Sequence, residues 1–147
     1  MNTDIKVRRI EIGDYAAIHR LNEQLGYDYN ENKVCKRISS LLDSSSDIML
    51  VVEYQGNVVG YAHGTPYETL YADELMNILA FVIQDKYDSI EDIANQLLAR
   101  FESEAKHFGY NGVRMTANKE RNQAEQFLSK HQFESHRDLK HYIKYFH

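Results

Sequence analysis

The chain has 147 residues, of which 43% are apolar and 27% charged, with seven Gly and one Pro; that fits one ordinary domain and excludes collagen-like and low-complexity chains. The net charge of −5 is the wrong sign for a protein that binds nucleic acid by neutralising phosphates. The single cysteine, Cys35, excludes an intrachain disulfide and a multi-thiolate metal site.

No run reaches the ~20 apolar residues of a membrane span, and the first residues lack the pattern of a signal peptide. The expectation is a soluble, cytoplasmic, single domain over residues 1–147, with neither nucleic acid nor membrane as partner. Ile5–Ile12 alternates apolar and polar residues, the period of a half-buried strand. Its charged residues Lys6, Arg8 and Arg9 read as a solvated face. Gly13-Asp14 ends it, and Asp14 is placed to cap the next helix. That helix carries Tyr15, Ile18, Leu21 and Leu25 and stops at Gly26. A second helix presents Val34, Ile38, Leu41 and Leu42, with Cys35 read as a small buried residue beside them.

Ile48–Tyr54 and Val58–Ala62 are β-branched and apolar, and Gln55-Gly56-Asn57 between them predicts a hairpin. Leu75–Ile83 is nearly continuous in apolar character, as a strand covered on both faces would be. Ile90, Ile93, Ala94, Leu97, Leu98, Phe101, Ala105 and Phe108 recur at helical spacing until Gly109. Ser89 with Asp92 three residues later resembles a capping box. Gly112–Ala117 reads as a short strand, Arg121–His131 as a helix, and Phe133–Phe146 as one or two aromatic-rich closing strands. The sum is a mixed α/β (α+β) fold in the order β-α-α-β-β-β-α-β-α-β.

Seven histidines invite a metal, but none falls into a ligand spacing such as H-E-x-x-H, so no metal is expected. His63 stands apart from the others, between Gly60 and Gly64 at the end of a predicted strand. Tyr27 and Tyr29 flank Asp28 in one connection, and Tyr67, Glu68, Tyr71, Asp73 and Glu74 crowd another. Aromatic walls with carboxylates suit a cationic ligand through cation–π and charge attraction.

The element order, together with Leu25-Gly26-Tyr27, Val58-Val59-Gly60-Tyr61 and above all Asn118, Arg121, Ala124, Phe127 and Phe133, resembles the GCN5-related N-acetyltransferase (GNAT) family. The resemblance covers essentially the whole chain. It implies a mostly antiparallel central sheet flanked by helices on both faces, and acetyl transfer from acetyl-coenzyme A, without a metal, to a small amine or cationic metabolite. It also implies a possible homodimer. By the same resemblance, Phe81, Val82 and Ile83 would hold the pantetheine, and Tyr87, Ala94 and Asn122 would contact the rest of the coenzyme. Tyr27, Asp28, Tyr67 and Tyr71 would border the acceptor.

Several positions depart from the family pattern. Ser89 and Asp92 stand where the pyrophosphate loop usually has Arg or Gln and Gly, and carboxylates there repel an anion. Leu128 replaces a common Tyr acid, and Asn77 stands where a Glu base is frequent. Glu74, or a water-mediated route through His63 or Tyr71, would then serve as base. The alternative is a catalytically silent member that binds a ligand or a protein partner.

Overall fold

The computed structural model describes residues 4–85, 89–116 and 122–146. The chain divides into two compact units, Met1–Met115 and Thr116–His147. The first unit is built on a five-stranded sheet in the order β1-β2-β3-β4-β5, where β1 is Ile5–Arg9, β2 Ile48–Tyr54, β3 Asn57–Tyr67, β4 Leu75–Ile83 and β5 Val113–Met115. All neighbours run antiparallel except β4 and β5. The parallel pair needs a crossover, supplied by the helix α3, Ile90–His107.

Helices α1 (Tyr15–Gln24) and α2 (Glu31–Ser44) pack Ile18, Leu21, Val34 and Ile38 against Met49, Val51, Tyr61 and Val82. Helix α3 buries Ile93, Leu97, Leu98 and Phe101 on the opposite face. Tyr61 and Gly64 lie an odd number of residues apart on β3, so they point to opposite faces. A Cβ at Gly64 would meet the ring of Phe101 and lie 3.2 Å from Met76 Cγ. The sheet is therefore covered on both sides, which is why β2 and β4 read as near-continuous apolar runs.

Several local expectations are corrected. The hairpin turn has two residues, because Tyr54 pairs with Asn57; Gln55 and Gly56 both have positive φ, 52° and 87°, as a type I′ turn requires. Strand β3 runs five residues past Ala62, to Tyr67. Asp14 does not cap α1 with its side chain, and Ser89 makes no capping bond at α3. Instead, the Ser89 hydroxyl lies 3.3 Å from that of Tyr54. Cys35 is only half-buried. The second unit holds helix α4, Asn122–Lys130, and no strand is formed among residues 133–146. Tyr142, Tyr145 and Phe146 are exposed, since their alternation finds no ladder in which to pair. Asn118 and Arg121 of the closing motif lie outside the described residues.

Arg8 is the clearest departure from a solvated face. Its Nη1 and Nη2 donate to the two carboxylate oxygens of Asp14, both at 2.9 Å, and its Nε pairs with Glu53. Asp14 is 8% exposed and also accepts from the Glu11 amide at 2.8 Å. Burial pulls the Asp14 carboxyl up, but the Arg8 hydrogen bonds, the Glu11 amide and the Arg8 charge together hold it below its usual 3.8. A depressed folded value means that this stabilisation is complete above pH 3.8 and is lost as pH falls through the lower, folded value. Urea unfolding between pH 6 and pH 3 is therefore expected to show a loss of stability at the acid end that Asp14→Asn flattens. An identical slope in the variant would show that Asp14 contributes nothing to acid sensitivity.

Candidate active site

The site lies on the α1/α2 face of the sheet, where β4 leaves β5. The two strands pair only over Met76–Val113, Asn77–Arg114 and Ile78–Met115. On the other side of β4, Ile78 opposes Gly64 while Ala80 opposes His63, so Leu79 is a β-bulge. The bulge takes Leu79 out of the β3 ladder at the point where the β5 pairing ends. From Leu79 to Ile83 the outer edge of β4 has no strand beside it among the described residues.

Next to the bulge stands His63, across from Ala80. Its Nε2 is 2.7 Å from Asp47 Oδ2, and Thr65 Oγ1 donates to Asp47 Oδ1 at 2.8 Å. The register of β2 and β3, with Ile48 opposite Gly64, brings Asp47 opposite Thr65. Asp47 has an 8% exposed side chain against 23% for His63. An ionised carboxylate only accepts, so the ring donates from Nε2, and in the neutral imidazole with that hydrogen bond the basic nitrogen is Nδ1. The imidazole is thus oriented by a buried acid with its basic nitrogen turned away from that acid.

Three further contacts share this end of the sheet. Arg114 lies over the Tyr67 ring at 4.2 Å and donates to Asn77 Oδ1 at 2.9 Å; Asn77, which stands where a Glu base is frequent, holds a cation in place. The Tyr67 and Tyr71 hydroxyls are 3.3 Å apart. Tyr110 titrates above the usual tyrosine range, through burial first and then through the charges of Glu68, Glu74 and Asp47. That coupling brings the exposed Glu74 into the same acidic neighbourhood as Asp47.

The α1–α2 connection forms a second border. Gly26, with φ of 93°, ends α1, and the chain then carries Tyr27 and Asp28, both exposed. Tyr61 on β3 donates from its hydroxyl to Asn22 Oδ1. Burial, and then the nearby Tyr27 phenol, push Tyr61 up to about 12, so it stays a neutral donor at physiological pH.

Among the coenzyme candidates, Val82 is buried in the α1/α2 core, which leaves only its backbone for a ligand. The carbonyl of Ile83 accepts from Gln24 Nε2 at 2.9 Å. Phe81 is half-buried, as is Ala94 in the first turns of α3, while Glu91 and Asp92 are exposed. Solvent between those carboxylates and a bound anion weakens their repulsion. Tyr87 lies outside the described residues, and Asn122 begins α4 in the second unit. Asp47, Thr65, Tyr110 and Arg114 escaped the sequence reading. Among the described residues, no cluster of His, Cys, Asp and Glu is arranged to hold a metal, and no helix is long and apolar enough to cross a membrane.

The mostly antiparallel five-stranded sheet with helices on both faces is the architecture of the GNAT acetyltransferase fold. The family model of the GNAT acetyltransferase domain matches residues 7–147, and the chain belongs to that family. It is similar to the aminoglycoside N-acetyltransferase AAC(6')-Iy solved with CoA, with 13% identity, TM-score 0.83 and coverage of 98% of this chain and 97% of that one. A GNAT family acetyltransferase from Staphylococcus aureus is 20% identical, with TM-score 0.74 over 98% of this chain and 100% of the other. Glucosamine-6-phosphate N-acetyltransferase from Arabidopsis thaliana is 14% identical, with TM-score 0.75 over 97% and 99%. No curated protein is significantly similar in sequence.

Proposed function

We propose that the chain is an acetyl-coenzyme-A-dependent N-acetyltransferase acting on a small amine. The observation that carries this reading is the Asp47–His63 pair beside the Leu79 bulge, at the point where β4 and β5 part. An open strand edge takes an extended amide-bearing chain by strand-like hydrogen bonding, and pantetheine is such a chain. With its amides along the edge around Phe81–Ile83, the thioester would reach the bulge. Backbone N–H released from a ladder is suited to a developing oxyanion.

In this mechanism the acceptor amine approaches from the α1/α2 face. Nδ1 of His63 takes its proton, and the imidazolium is stabilised by Asp47. The neutral nitrogen attacks the thioester carbonyl carbon, the C–S bond breaks, and the thiolate takes up the proton that the acylated nitrogen sheds, while the imidazolium returns its own proton to water. Glu74, Glu68 and Asp47 draw a cation into the site, while Tyr67, Tyr71, Tyr27 and Asp28 form its walls. An amino group of an aminoglycoside or amino sugar suits these walls, and proteins of this fold carry the names of such acceptors. One functional domain over residues 1–147 is part of the reading, supported by a single family model running through both units.

Calorimetric titration with acetyl-coenzyme A is expected to give binding with a rise in Tm. At a ligand concentration ~100 times Kd the stabilisation is about 2.7 kcal/mol. Thiol release with a panel of amines is expected alongside it. No heat and no shift in Tm at millimolar coenzyme would overturn the enzyme reading, and binding without turnover on any amine would leave a silent ligand-binding protein.

A further inference from the structure

Three cations fall within five residues of α2, Lys33, Lys36 and Arg37, in a chain whose net charge is −5. Their spacing of three and four residues, continued by Ser40, puts them on one helix face. All three are exposed. Together with Tyr29 and Ser40 they line an open cleft of about 270 Å³. Arg37 Nη2 donates to the Tyr29 hydroxyl at 3.4 Å, and Lys33 Nζ stands 6.0 Å from the Tyr29 ring. Among the described residues none of the three cations pairs with a carboxylate. Like charges so spaced oppose the helix that carries them, and a bound oxyanion offsets that repulsion.

The cleft adjoins the acceptor wall through the chain itself. Tyr29 is two residues beyond Tyr27, whose phenol acts on Tyr61. Tyr61 and His63 share one face of β3, two residues or roughly 7 Å apart. The α1–α2 connection therefore runs from Tyr27, which acts on Tyr61, to Tyr29, which lines the basic cleft. We propose that the α2 face of Lys33, Lys36 and Arg37 binds the oxyanion end, phosphate or carboxylate, of an acceptor whose other end is the amine. The substrate is then a dipolar molecule, and this assignment rests on the acetyltransferase reading above.

The test compares glucosamine 6-phosphate, glucosamine and 4-aminobutyrate as acceptors, using the full chain and a Lys33→Ala/Arg37→Ala double variant. An acceptor carrying the favoured oxyanion is expected to exceed glucosamine in kcat/KM by roughly tenfold or more, the size of one charge-assisted hydrogen bond. The double variant is expected to bring it down to the level of glucosamine. A preference for the phosphate or for the carboxylate acceptor identifies the group. Equal losses on all acceptors, or a loss confined to coenzyme affinity, would overturn the proposal. Backbone amide shifts of residues 33–40 on titration with inorganic phosphate read the cleft without turnover. If no amine is acetylated, the enzyme reading fails. Shifts abolished by the double variant then still uphold the anion site, and their absence in the parent protein refutes it.

Discussion

Phe101→Ala is expected to remove about 3–5 kcal/mol of unfolding free energy, the range for deleting a fully enclosed aromatic ring. Phe101 is 0% exposed, and its ring fills the space that Gly64 leaves on β3. Total stability for a domain of this kind is ~5–15 kcal/mol, so the variant approaches the unfolding threshold. The reciprocal change, Gly64→Ala, is expected to destabilise as well. Its new methyl would lie 2.8 Å from Phe101 Cε2 and 3.2 Å from Met76 Cγ, and Met76 is itself 0% exposed. Overpacking of this sort costs about 1–3 kcal/mol. Because the two side chains occupy the same space, Gly64→Ala should cost less once Phe101 is replaced by Leu. Urea unfolding of the two singles and the double gives the coupling. Strict additivity would mean that the ring has room to move and that α3 is not seated as described.

That contact also explains how far the fold could be read from the residues. The bounds of β2 and β4 follow from their apolar runs, and α3 follows from its periodicity, because burial on a two-sided sheet or a single helix stripe leaves a strong linear signal. Strand β3 extends beyond its apolar run, to Tyr67, through His63-Gly64-Thr65-Pro66, which looks like punctuation in the sequence. The pairing removes the objection. Pro66 opposes Met76, whose amide turns away to the Gly112 carbonyl at 2.9 Å, so β4 asks no donor of Pro66. On its other side β2 has already ended, at Ile48 opposite Gly64. Gly64 itself is a size requirement imposed by a helix nearly forty positions away in sequence.

The site was legible in part for the same reason. His63, Glu74, Tyr67 and Tyr71 announced themselves as polar or aromatic residues near strand ends. Asp47 did not, because it follows a run of serines that resembles an ordinary loop. Its significance comes from register alone: Ile48 opposite Gly64 carries Asp47 to Thr65 and within 2.7 Å of His63. An acid directly before an apolar strand, with His-x-Thr on the partner, is a signal that pairing reveals and spacing along the chain does not. The Arg8–Asp14 pair was hidden likewise, since alternation marks which face a residue takes but not which acid folds over it.

His63→Gln is expected to lower kcat/KM by roughly 10²–10⁴-fold, the usual contribution of a positioned base, while leaving the fold and coenzyme affinity close to those of the parent. The amide can still donate to Asp47, so the buried carboxylate keeps a partner, which His63→Ala would remove. Asp47→Asn separates orientation from chemistry. Its amide can keep a hydrogen bond to the ring through either end, but the negative charge that favours Nε2–H and steadies the imidazolium is gone. The expectation is a smaller loss than that of His63→Gln, carried by kcat more than by KM, because a ring nitrogen still meets the amine while the imidazolium formed on proton transfer has lost its adjacent charge. Steady-state kinetics of both variants on one amine read the difference. A loss confined to KM in both would make the pair a binding wall, and no loss in either would remove it from the chemistry altogether.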